Sequence, residues 1–291
     1  MSSNDCLLTI VIPAYNEAES LPQLLTSLLP FAKEKNWEVI IVNDGSKDKT
    51  KDVLQILKQD ALKIIHHKLN KGYGGAIKSG IIEVKTKYLV TIDADGQHSL
   101  SDIEMMFHTI QKEDADLVIG NRKGNKASGL YREFGKATIR WIAKIMMPLH
   151  IYDINSGLKM YDTKLAQKYI DLCPDTMAFS DIITLIFIHQ RNLVLEVPVK
   201  INKRIAGKST IGIRTAIDTV MEIINIVMLF NPMRIFFSLA ITSAVISIVW
   251  EIPIFLRGNG ISVGALLGFI TGLLFFLLGL IAEQLSNIRK L

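Results

Sequence analysis

Cysteine is scarce: Cys6 and Cys173 are the only two in 291 residues, far apart and without metal-ligand spacing. A disulfide framework and a cysteine metal site are therefore excluded, and a reducing compartment is expected. The opening residues Met-Ser-Ser-Asn-Asp hold no basic stretch and no apolar one, so no signal peptide is expected. Charge is missing from the far end. Beyond Arg234 only Glu251, Arg257, Glu283, Arg289 and Lys290 are charged, a shift that marks a boundary. The chain as a whole is 49% apolar, enough for one large domain plus an appendage, and its net charge of +5 points to an anionic partner.

The charge-poor end contains two apolar runs, Ile235 to Glu251 (extendable to Phe255) and Arg257 to Glu283. A membrane crossing needs about 20 mostly apolar residues. Both runs meet that length, and Gly264, Gly268 and Gly272 give the second a small-residue stripe suited to close helix contact, within the hairpin or between protomers. The expectation is a transmembrane hairpin rather than a buried helix pair. Its link, Leu256 to Gly260, carries one cation, whereas Arg234, Arg289 and Lys290 lie on the other side, which places both termini in the cytoplasm. Upstream, Arg214, Asp218 and Glu222 recur every four residues in an otherwise apolar stretch, the pattern of an amphipathic helix lying on the membrane or packed on the soluble domain.

From Leu7 to about Asn121 short β-rich runs alternate with helical spacing. Leu7–Pro13, Trp37–Val42, Leu62–His66, Tyr88–Ile92 and Asp116–Ile119 read as strands, and Leu21–Lys33 and Ser101–Lys112 as helices. That alternation predicts an α/β fold, a mainly parallel sheet with helices on both faces and a ligand site at the carboxyl ends of the strands. Those ends are acidic: "PAYNE" after the first strand, "NDGS" after the second, "DADGQH" after the fourth. Asp93 and Asp95, with Gln97 beyond the turn at Gly96, can offer hard oxygens to a divalent cation that completes its shell with phosphates. The same spacing also suits ordinary turn-forming Asp residues.

In order, "VIPAYNEAESL", "VNDGSKDKT", "NKGYGGAIKSGI" and "DADGQH" resemble the family-2 glycosyltransferases of the GT-A (Rossmann-like) fold. The later "DINSGLKMYD" and "EVPVKINKRIAGKST", followed by a membrane hairpin, look like the polyprenyl-phosphate subgroup, which includes dolichyl-phosphate mannose synthase and bactoprenol glucosyltransferase. The resemblance implies a nucleotide-sugar donor held by Pro13, Tyr15, Glu17, Asp44, Lys71, Gly72 and Asp93. It implies Mg²⁺ or Mn²⁺ on Asp93, Asp95 and Gln97, with His98 either behind them or merely starting a helix. For a lipid-phosphate acceptor it points to Arg122, Arg132, Lys136, Arg204 and Ser209, the family pattern Arg-x-x-Gly-x-Ser being matched by Arg204, Gly207 and Ser209. Asp181 and Asp153 are candidates to orient the acceptor, and with Asp95 and Arg204 they form the expected catalytic set.

A phosphate monoester is largely dianionic at neutral pH, so it needs positioning cations more than a base. The row Arg132, Lys136, Arg140 and Lys144 is either a solvated face or an attraction for anionic headgroups. The sequence thus suggests a catalytic domain over 1–210, an amphipathic segment over 211–233 and a hairpin over 234–291. The expected reaction is inverting transfer of a hexose from a UDP- or GDP-sugar to polyprenyl or dolichyl phosphate at the cytoplasmic face of the plasma (inner) membrane. Membrane lipids are expected partners and nucleic acid is not. Transfer to a glycan or glycolipid hydroxyl is the alternative. A nucleotidyltransferase would have no use for the hairpin, and "GYGGAIKSG" lacks the position and spacing of a dinucleotide fingerprint.

Overall fold

All seven residues of Leu8–Ala14 are buried, as befits a strand in the middle of a sheet covered on both faces. The computed structural model describes residues 6–57, 62–122, 151–200, 228, 232–258 and 260–290. These fall into two compact units, one up to residue 200 and one from residue 228 onward.

The first unit is built on β1 (Leu8–Ala14), β2 (Glu38–Asn43), β3 (Leu62–His66), β4 (Tyr88–Thr91), β5 (Leu117–Asn121), β6 (Lys159–Asp162) and β7 (Val194–Pro198), in the spatial order β3-β2-β1-β4-β6-β5-β7. The sheet is mixed. Every pairing is parallel except those that β6 makes with β4 and β5. Because β6 runs backwards, its first residue lies at the carboxyl edge of its neighbours, with Lys159 opposite Thr91 on one side and Ile119 on the other. One reversed strand thereby delivers the turn before it, residues 153–157, to the edge where the acidic loops emerge.

Helices α1 (Leu21–Glu34), α2 (Thr50–Ile56), α3 (Tyr73–Ile82), α4 (Leu100–Lys112), α5 (Thr163–Tyr169) and α6 (Phe179–His189) accompany the sheet. Helix α1 buries Leu21, Leu24, Leu25, Leu28, Leu29 and Ala32, spacing that traces one face of a helix. Pro22 sits in its first turn, where a missing N–H is harmless. Burial of each such leucine contributes about 1.5–3 kcal/mol. Trp37 closes the layer edge-on, 5.5 Å from the Phe31 ring and 5.2 Å from Phe107.

The second unit is a pair of helices, α7 (Pro232–Leu256) and α8 (Val263–Lys290), each long and apolar enough to cross a membrane. Most of their large apolar side chains face outward. Small residues let the two approach. A Cβ at Gly268 would collide with the Ser247 hydroxyl, one at Gly272 would lie 3.1 Å from the Ala240 carbonyl oxygen, and one at Gly279 would lie 2.7 Å from Phe236 Cβ. The Ser243 hydroxyl donates to the Gly268 carbonyl at 2.8 Å. The glycine stripe therefore makes close contact within the hairpin at Gly268 and Gly272, whereas at Gly264 the sole neighbour among the described residues is Trp250, at 3.6 Å. At the link, Glu251 accepts from the Ser262 amide and hydroxyl, fastening the end of α7 to the start of α8. The amphipathic segment expected over 211–233 lies almost wholly outside the described residues, as does the basic row from Arg132 to Lys144.

Candidate active site

The loops after β1 and β2 are tied to each other. Asn16, in a left-handed conformation (φ 57°), accepts from the Lys47 amide at 2.8 Å and donates its own amide to Ser46 Oγ at 3.0 Å. The Glu17 amide donates to Thr50 Oγ1 at 2.9 Å, and the Glu17 carboxylate accepts from the Ser20 hydroxyl. Between them Pro13 is buried and Tyr15 exposed. Asp48 accepts from the Ala18 amide and from the Thr50 amide and hydroxyl. Burial pushes its carboxyl up, but the Thr50 bonds and the Ala18 amide outweigh that and hold it below the usual value.

Asp44 is almost fully enclosed and organises the next loop. Its carboxylate meets His67 Nδ1 at 2.6 Å and accepts from the amides of Lys71 at 2.8 Å and Gly72 at 2.9 Å. The other His67 nitrogen meets Ser79 Oγ at 2.9 Å. Gly72 adopts φ 92° and passes so near the Asp175 carbonyl that a Cβ would lie 2.5 Å from its oxygen, so only glycine fits. The Lys71 side chain is exposed beside it.

The next residue links this cluster to the β4 end. The Tyr73 hydroxyl donates to Asp93 Oδ1 at 3.1 Å, while His98 Nε2 stands 3.6 Å from Asp93 Oδ2. Burial pushes the Asp93 carboxyl up, but His98, Tyr73 and the Arg122 charge prevail and hold it below its ordinary value. Burial, with Asp93 adding to it, raises the Tyr73 phenol well above its usual range, so it remains a donor. Asp95 is buried, its Oδ1 accepting from the Gln97 amide at 3.1 Å across the turn that Gly96 makes at φ 72°. Both ring nitrogens of His98 are buried, with no hydrogen-bond partner among the described residues.

Two carboxylates and an amide on one turn suit a hard divalent cation. Among the described residues no group of three His, Cys, Asp or Glu side chains forms a closed metal cage.

On the far side of Asp93 lies the 153–157 turn. A Cβ on Gly157 would be 2.5 Å from Asp93 Oδ2, so the turn lies flush against the carboxylate. Asp153 grips Arg122 with both oxygens, Nε to Oδ2 at 2.6 Å and Nη2 to Oδ1 at 2.8 Å, and Arg122 Nη2 also donates to the Asn155 carbonyl. The Asp153 hydrogen bonds raise the guanidinium pKa further. Glu196 on β7 receives the amides of Tyr152 and Asp153. Behind the turn Lys159 is fully buried, and Asp181, on α6, is 5% exposed, its Oδ1 without a hydrogen-bond partner among the described residues. Burial raises the Asp181 carboxyl against the opposing pull of Lys159, and burial lowers the Lys159 ammonium.

Thus Asp44 gathers the amides of Lys71 and Gly72, Asp93 meets Tyr73 and the 153–157 turn, Asp95 receives the Gln97 amide, and Arg122 and Asp153 are directly paired. Arg132, Lys136, Arg204, Gly207 and Ser209 lie outside the described residues. Sequence reasoning did not single out Tyr73, His67, Lys159 or Glu196. Tyr73 lies inside "NKGYGGAIKSGI" and Lys159 inside "DINSGLKMYD", but only the fold brings them to the strand ends.

Residues 9–170 match Glycosyl transferase family 2, and residues 231–288 match the GtrB C-terminal hairpin. The chain is 32% identical over 199 residues to an uncharacterized protein of Methanocaldococcus jannaschii, covering 66% of this chain and 79% of that one. It is 27% identical to the undecaprenyl-phosphate 4-deoxy-4-formamido-L-arabinose transferase of Photorhabdus laumondii, over 96% of this chain and 89% of that protein. With the dolichyl-phosphate beta-glucosyltransferase of Dictyostelium discoideum it shares 32% identity, over 55% of each chain, so it spans about half of that relative. In fold it is similar to glucosyl-3-phosphoglycerate synthase from Mycobacterium tuberculosis, solved with Mn²⁺, UDP-glucose and phosphoglyceric acid: TM-score 0.58, 16% identity, 76% of this chain and 79% of that one. With one family matched across more than half of its length, the chain belongs to glycosyl transferase family 2.

Proposed function

We propose that this chain transfers a hexose from a UDP- or GDP-sugar to a polyprenyl or dolichyl phosphate, with inversion, at the cytoplasmic face of the membrane. A catalytic domain (1–210), a juxtamembrane segment (211–233) and a hairpin (234–291) would divide the work. The carrying observation is that Asp153, the carboxylate in the turn at the strand edge, is bound to the Arg122 guanidinium, while Asp181 lies buried behind that turn. A hydroxyl acceptor needs a base to take its proton, whereas a phosphate dianion arrives nucleophilic. The relatives named for dolichyl or undecaprenyl phosphate support the same acceptor class.

In this reading the β1 and β2 loops and the Asp44 cluster seat the nucleotide, with Lys71 beside the diphosphate. A phosphate oxygen of the acceptor attacks the anomeric carbon, the bond from that carbon to the diphosphate oxygen breaks, and the nucleoside diphosphate leaves. Mg²⁺ or Mn²⁺ held by Asp93, Asp95 and Gln97 would neutralise charge on the departing diphosphate. The Tyr73 hydroxyl fixes the Asp93 carboxylate, and Arg122, Arg132, Lys136, Arg204 and Ser209 are assigned to the lipid phosphate.

One observation favours the hydroxyl alternative: Asp181 has a raised pKa and an unbonded oxygen, properties that suit a base. Purified full-length protein with radiolabelled UDP- and GDP-sugars and a polyprenyl phosphate, with and without chelator, tests the proposal. Metal-dependent label in the organic phase supports it. Label only on glycan or glycolipid hydroxyls would overturn it.

A further inference from the structure

A lysine that is fully buried in a β-strand is costly, because desolvating an ammonium disfavours its charged form. Lys159 is such a residue, and the hydrogen bonds of its Nζ join two parts of the acceptor side. It donates to the Ile154 carbonyl at 2.7 Å, inside the 153–157 turn, and to the Ser180 carbonyl and, at 2.7 Å, the Ser180 hydroxyl, at the start of α6. Ser180 Oγ in turn donates to the Ser156 carbonyl at 2.7 Å, so the bridge closes on the turn a second time. The turn secured in this way carries Asp153, which grips Arg122, and Gly157, which lies flush against Asp93. An apolar residue at this position of β6 would satisfy the core but leave the turn without its anchor.

We propose that Lys159 is a positioning residue that bolts the 153–157 turn to α6 and so sets where the Arg122 guanidinium and the Asp93 carboxylate stand relative to each other. It touches no substrate. The proposal rests on the transfer reading only for its kinetic consequence, since the anchoring itself is a property of the fold. The groups facing the ammonium are Asp181 on α6, Asp153 in the turn, Arg122 after β5 and Cys173 before α6. Removal of the lysine therefore also strands the Asp181 charge, and the test must separate that effect.

The full-length protein in detergent is compared as parent, Lys159→Met, Asp181→Asn and the double variant. Asp181→Asn removes the carboxyl that would face the vacated position, so the double variant is expected to fold even where Lys159→Met alone fails. Hydrogen exchange at Tyr152, Asp153 and Ser156, whose amides are bonded in the structure, is expected to speed up in the double variant relative to Asp181→Asn. This readout needs no substrate, so it stands even where the parent shows no transfer and the transfer reading fails. With a labelled nucleotide-sugar and polyprenyl phosphate, kcat is expected to fall about 100-fold below Asp181→Asn, the scale of a misplacement of about 1 Å, with donor KM changed far less. Exchange and kcat equal to those of Asp181→Asn would overturn the proposal and reduce Lys159 to a counter-ion. A loss of donor affinity matching the loss of kcat, without faster exchange in the turn, would also overturn it.

Discussion

Replacing Gly157 by alanine adds one methyl group at the point where the turn meets Asp93. The new carbon would lie 2.5 Å from Oδ2 and 2.9 Å from Cγ and Oδ1, where ordinary contact begins near 3.4 Å. The carboxylate or the turn must therefore give way by about 0.9 Å. Overpacking of this kind costs about 1–3 kcal/mol. A displacement near 1 Å at a reacting centre costs about 100-fold in rate. We expect Gly157→Ala to lower the melting temperature measurably and kcat by about that factor, with a smaller change in donor KM. The control is Asp93→Ala: with the carboxylate removed, the added methyl has room, and Gly157→Ala on that background should cost little further stability. Parent-like Tm and turnover in Gly157→Ala, or a stability cost unchanged by Asp93→Ala, would refute the contact argument.

The other predictions concern the cation site, the acceptor side, the loops and the hairpin. Asp95→Asn should cut turnover by orders of magnitude while thermal unfolding stays near that of the parent, and chelator should have the same effect on the parent; full activity in chelator would remove the metal from the account. Arg204→Ala should raise the KM for lipid phosphate far more than that for the nucleotide-sugar, measured by varying each substrate in turn. Because the folded state holds Asp48 below its ordinary 3.8, its stabilisation is complete above that pH and fades as the pH falls through the folded value; Asp48→Asn should flatten the acid limb of a Tm-against-pH curve. Gly268→Leu should disrupt the α7–α8 contact and alter activity or detergent-solubilised size while membrane localisation persists, whereas Gly264→Leu should resemble the parent.

The strands were legible in the sequence because buried β-runs between loop residues leave a strong local signal, and Leu62–His66 is matched residue for residue. Strands β6 and β7 were not, since "LKMYD" is short and draws its burial from neighbours distant in sequence. The acidic strand ends were visible as motifs, yet their partners were not. His67 meets Asp44 only because β3 lies beside β2, and Tyr73 reaches Asp93 only through the turn at Gly72. Lys159 reads locally as an ordinary alternating-strand lysine. Its burial follows from the reversed strand being inserted between β4 and β5, a topological fact with no local signature. Within the hairpin, α7 crowds Gly268 through the Ser247 side chain and Gly272 through the Ala240 carbonyl, neighbours the glycine spacing alone does not name.

In the proposed reaction the acceptor is a phosphate on a lipid rather than a hydroxyl. The most direct test is to offer the full-length protein a labelled nucleotide-sugar with either a polyprenyl phosphate or the same polyprenol without its phosphate, and to determine the mass of the organic-phase product. A sugar–phosphate–lipid diester is expected from the first and nothing from the second. Transfer to the polyprenol, or a product from the phosphate lipid without a sugar-to-phosphate bond, would contradict the proposed reaction.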